Sequence, residues 1–98
     1  MKLSIPHKDS EIAAITKVKK ILSSSRSQMA AHLSEVEEKW DGNVLTFAFT
    51  AQKYYISGTL TVKDRVFDIY AKLPLTLRLF EGRIQKMITE QAATMFRG

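Results

Sequence analysis

The spacing of apolar positions changes along the chain, and each change predicts an element. Leu3 and Ile5 alternate with Lys2 and Ser4, and Pro6 follows, which predicts a short first strand ended by the proline. Asp9 or Ser10 can cap a helix, with Glu11 suited to its positively polarised first turn. Ile12, Ile15, Val18, Leu22 and Met29 then fall on one stripe at helical spacing. Ser23, Ser24 and Ser25 are weak helix formers, so the helix either breaks there or runs through to His32.

After His32 the period becomes two. Val36, Glu38 and Trp40 alternate with Glu35, Glu37 and Lys39, and Asp41-Gly42-Asn43 is a strong turn signal. Leu45, Phe47 and Phe49 continue the alternation up to a connection at Ala51-Gln52-Lys53. Tyr54, Ile56, Leu60 and Val62 share the next face, with Gly58 marking a bulge or a close approach. Lys63-Asp64-Arg65 turns the chain into a last run of Phe67, Ile69, Ala71 and Leu73. Leu73-Pro74-Leu75 ends it, and Phe80, Ile84, Met87, Ile88 and Met95 return to helical spacing.

The predicted order is β-α-β-β-β-β-α over one α+β domain, 1–98, with an antiparallel sheet and two helices packed on one face. Leu45, Phe47, Phe49, Ile56, Leu60, Phe67 and Ile69 are the expected core. On that reading Phe47→Ala would cost about 3–5 kcal/mol.

Charge adds a partner question. The formal net charge is +5. The excess lies on the two predicted helices, in Lys17, Lys19, Lys20 and Arg26 and in Arg78, Arg83, Lys86 and Arg97. These cations do not form one coherent stripe, and an RNP-type aromatic pattern is missing, so nucleic acid is disfavoured as a partner. Cysteine is absent, which removes disulfides and thiolate metal sites and fits a cytoplasmic location. Met1–Ser10 has no apolar h-region, and no run is long enough to span a bilayer, so neither a signal peptide nor a transmembrane segment is expected.

Candidate chemistry is sparse. His7 and His32 lack partners at metal-ligand spacing and read as a corner residue and a helix-end residue. Glu35, Glu37, Glu38 and Asp41 form an acidic cluster that strand alternation splits between two faces. Glu38 shares a face with Val36 and Trp40, so it is expected to be a half-buried carboxylate with a perturbed pKa. No nucleophile elbow, phosphate loop or dinucleotide fingerprint occurs. The expectation is a non-enzymatic protein without catalytic residues, cofactor or metal. In the last helix Arg83, Lys86 and Arg97 lie opposite the apolar stripe, and Phe96 falls off it, which makes these four the candidate surface contacts.

Leu3-Ser4-Ile5-Pro6-His7, Trp40-Asp41-Gly42-Asn43, the pair Phe47 and Phe49, Ile56–Val62, Leu73-Pro74-Leu75, and Phe80, Gly82 and Ile84 together carry a resemblance over nearly the whole chain. In these residues the chain resembles the polyhydroxyalkanoic acid system family of small bacterial proteins. The resemblance implies association with a storage-polyester granule surface or with a granule-coating protein, and no enzymatic activity. A hydrophobic small molecule is the alternative ligand, because the element order is similar to a reduced helix-grip (START-like) fold. The protein-mediated route to the granule is favoured slightly, since a domain this small is expected to have little apolar surface left once its core is built.

Overall fold

A computed structural model describes residues 1–95. Five strands form one antiparallel sheet: β1 (Lys2–Pro6), β2 (Leu33–Asp41), β3 (Val44–Ala51), β4 (Tyr54–Lys63) and β5 (Val66–Lys72). Their order across the sheet is β1-β5-β4-β3-β2, so β2 to β5 are a meander and β1 closes against its last strand. The helices are α1 (Glu11–Ser24), α2 (Arg26–His32), the single turn α3 (Leu75–Arg78) and α4 (Glu81–Met95). The predicted α+β architecture is therefore observed.

The serines decide the first helix. Ser24 Oγ donates to the Ile21 carbonyl at 3.2 Å, and the Ser25 N–H bonds the same carbonyl at 2.9 Å. The helix stops at Ser25 and resumes as α2. Its start is capped as the sequence suggests: Ser10 Oγ accepts from the Ala13 N–H at 3.3 Å.

Strand register places the apolar residues on one face. Phe67 pairs with Ile5 and Val62, and Ile69 pairs with Leu3 and Leu60. Leu45, Phe47 and Phe49 pair with Leu60, Gly58 and Ile56. The opposite face carries Ser4, Thr46, Thr50, Ser57, Thr59, Thr61 and Asp68, as expected of a sheet wet on one side. Gly58 is required by close approach rather than by a bulge: a Cβ there would collide with the Tyr70 carbonyl on β5. Gly42, with φ +61°, supplies the positive φ of the β2–β3 turn.

The helices cover only part of the apolar face. α1 lies over β4 and α4 against β1. Beneath them Ile5, Ala14, Val18, Val62 and Phe67 form the buried cluster, with Leu3, Ile15, Leu22, Trp40, Leu60, Ile69, Ile88 and Ala92 packed around it. Of the seven expected core residues, Leu45 and Phe67 are buried, at 4% and 3% exposure. Phe47, Phe49, Ile56, Leu60 and Ile69 are on the predicted face but only half-buried. The shortfall has a geometric cause: α1 and α4 reach β4 and β1 and α2 contacts β2, but they meet the face incompletely and leave recesses over Leu60 and Ile69 and over Phe47 and Phe49.

One irregularity was not foreseen. Ser34 pairs with Thr50 and Glu37 with Ala48, so Glu35 and Val36 together oppose Phe49. This is a β-bulge, with Glu35 in the left-handed region at φ 54°.

Candidate functional site

His7 sits at the corner between β1 and α1 and is buried. Its Nδ1 accepts the Asp9 N–H at 3.0 Å, so in the neutral ring Nε2 carries the proton and donates it to the Lys63 carbonyl at 2.8 Å. The ring also lies against Phe67, with centroids 4.3 Å apart. Both nitrogens are thus engaged by backbone. Around this corner the Glu11 N–H bonds Asp64 Oδ1 at 2.6 Å, the Arg65 N–H bonds the Asp9 carbonyl at 3.0 Å, and Lys17 pairs with Asp9 at 2.9 Å. Asn43 Nδ2 donates to the Val62 carbonyl at 2.8 Å. The corner is a structural clasp joining two turns to the start of α1.

Glu38 departs from expectation. It shares the helix-facing side with Trp40, as the alternation predicts, since it pairs with Phe47 and Trp40 pairs with Leu45. It is exposed rather than half-buried, at an opening that Arg26 and Ala30 of α2 also line. Trp40 fares differently: Lys19 on α1 lies 5.1 Å above its ring. The acidic residues do not converge with histidine, and among the described residues no group of three metal-ligating side chains forms.

The described carboxylate with a clear shift is Asp68, on the polar face. The Lys63 ammonium at 2.7 Å and the Ser4 hydroxyl at 2.8 Å hold its carboxyl below the ordinary value of 3.8. Tyr55 and Tyr70 are exposed on that face, whereas Phe47 and Phe49 stack on the other at 6.2 Å, so these aromatics do not form one platform for bases.

Two apolar recesses open on the helix side. One, of about 170 Å³, lies between α1 and α4 and is lined by residues such as Val18, Leu60, Ile69 and Ile88. The other, of about 210 Å³, is lined by Leu22, Leu33, Val36, Phe47 and Phe49 among others. Both fall below the roughly 300–1,000 Å³ of ordinary small-molecule pockets.

A different apolar surface is fully outward. Leu75 is 78% exposed, Leu79 86%, Phe80 51% and Met87 57%. In α4 the half-buried Ile84, Ile88 and Ala92 face the sheet side, and Met87 lies about 100° round from Ile88. The exposed Arg83 and Lys86 continue that flank, and exposed Arg78 precedes it. Of the predicted contacts, then, Arg83 and Lys86 lie beside this patch, while Phe96 and Arg97 are outside the described residues, as are the side chains of Met29 and Met95. Leu75 and Leu79 were missed. The signal was the alternation of Leu73, Leu75, Leu77 and Leu79, which one helix face cannot absorb; Leu73 is buried, Leu77 half-buried and the other two exposed.

The fold and its surfaces define an α+β sheet-and-helix domain with apolar area presented outward. The chain belongs to the family described as "Putative polyhydroxyalkanoic acid system protein", which matches residues 1–96. No curated protein and no solved structure shows significant similarity to it. Among the described residues no helix is long and apolar enough to cross a membrane.

Proposed function

We propose that the protein is a non-enzymatic accessory factor of polyhydroxyalkanoate storage that docks directly on the polyester granule surface through the α3–α4 flank. The observation that carries this is the exposure of Leu75, Leu79, Phe80 and Met87 beside Arg78, Arg83 and Lys86. Exposed large apolar side chains rimmed by cations suit a boundary between an apolar phase and water. Family membership supports the storage polyester as the apolar phase. The engagement of both His7 nitrogens by backbone supports a structural rather than an acid–base role for that residue. Direct docking is favoured over a coating protein because Leu75, Leu79, Phe80 and Met87 stay outward after the core is built.

The test is co-sedimentation with native granules and with granules stripped of protein. Binding to both is expected, and Leu79→Glu combined with Phe80→Glu should weaken it at least about tenfold, since each buried apolar side chain contributes about 1.5–3 kcal/mol. Binding to native granules alone would assign the contact to a coating protein. Binding to neither would overturn the granule reading.

A further inference from the structure

We infer that the chain associates with a second copy of itself, face to face, through the partly covered β2–β3 half of its helix-side sheet surface. Surface area is the first argument. The accessible surface is 7084 Å² for 11.1 kDa, whereas a compact monomer of that mass exposes about 5,700 Å². The excess of roughly 1,400 Å² is more than the approximately 800 Å² that each partner of a standard stable interface contributes.

Part of the apolar surface left open lies on the β2–β3 face, where a partner could reach it. Phe47 and Phe49 stack with an interplanar angle of 18° and are only half-covered. Val36, pushed out at the bulge, is 42% exposed, and the half-buried Leu33 lines the recess beside it. Stacked aromatics flanked by aliphatic side chains are the composition of an interface centre.

The rim indicates what the occupant is. Arg26 on α2 and Glu35 and Glu38 on β2 line one opening of about 440 Å³ at the edge of the patch. A two-fold axis brings each surface residue i against j and each j against i. A rim carrying both signs is then complementary to itself, so Arg26 of each chain can face the carboxylates of the other. The edge of β2 is less suited to pairing, because the bulge interrupts its ladder and Glu37 and Lys39 are charged. Association is thereby directed to the face. This inference does not rest on the granule reading; the dimer would present the Leu79 and Phe80 surface twice, which strengthens adhesion without any new contact.

Sedimentation velocity of the purified full chain tests it without polymer, so its outcome is independent of granule binding. At a loading of on the order of 100 µM the expected species has about twice the 11.1 kDa chain mass. Val36→Glu, at a position already open to solvent, should weaken self-association at least about tenfold with the circular dichroism spectrum retained, whereas Leu79→Glu should not weaken it. Arg26→Glu and Glu38→Arg should each weaken it alone, and mixing the two variants should restore a dimer, because each brings the sign the other lacks. If Val36→Glu fails to fold, the mixing experiment decides. A monomer at that concentration overturns the inference, as does a dimer indifferent to the Val36 and rim substitutions. A monomer that carries a bound acyl-chain mass in native mass spectrometry would also overturn it, and would assign the recess to a small apolar ligand.

Discussion

The two ends of the sheet are built on different principles. At one end the β1–α1 corner, the β2–β3 turn and the β4–β5 turn are tied by His7, Asn43 and Asp64 through side-chain to backbone bonds of 2.6–3.0 Å. Phe67 and Val62 lie just inside, nearly without solvent contact. At the other end, α2, the start of β2 and the end of β3 leave Phe47, Phe49 and Val36 open. A polar clasp holds its end shut because each buried donor and acceptor has a fixed partner. An apolar face closes only if a layer lies above it, and here α1 breaks at Ser25 with Leu45 buried but Phe47 and Phe49 only half-covered. The clasped end carries the stability of the monomer, and the open end supplies surface.

The largest test of this contrast is Phe67→Ala, which should cost about 3–5 kcal/mol in chemical denaturation because it empties the buried cluster under α1. His7→Ala should follow at about 2–3 kcal/mol, since it leaves the Lys63 carbonyl and the Asp9 N–H without their partner. Phe47→Ala, measured in dilute protein, should cost only about 1–2 kcal/mol, in line with partial burial rather than with the core role its alternation suggests. A cost equal to that of Phe67→Ala would mean that the open end is covered in solution, and its growth with protein concentration would identify a second copy as the cover.

The smallest effect belongs to Asp68, on the polar face. Its folded carboxyl titrates below the ordinary value of 3.8, so its contribution to stability is full above that value and is lost as pH falls through the folded one. Asp68→Asn should lower neutral stability slightly and flatten the acid limb of the stability curve below 3.8, so that the two proteins converge at low pH. An unaltered acid limb would show that the Lys63 and Ser4 contacts do not persist in solution.

Much of the site reading depended on the same local patterns as the fold. Arg83 and Lys86 were found because a 3.6-residue period separates them from Ile84 and Ile88. Leu75 and Leu79 were not, because Leu73-Pro74-Leu75 reads as the end of a strand, whereas the chain forms a single helical turn from Leu75 that turns both leucines outward. Glu38 was assigned to its correct face, but its burial depended on a helix whose path the strand pattern does not specify.

What the sequence by itself determined is the five strands, the first and last helices, the face most strand residues take and the turns between strands. These follow from periods of two and 3.6 residues and from residues such as Gly42, whose effects reach only a few positions. The tertiary structure alone decided how much of the apolar face is covered, that His7 meets Lys63 across 56 positions, and that Gly58 must admit the β5 backbone. Coverage depends on where two helices come to rest over five strands. That placement is set by contacts between distant segments, which no local spacing of residues encodes.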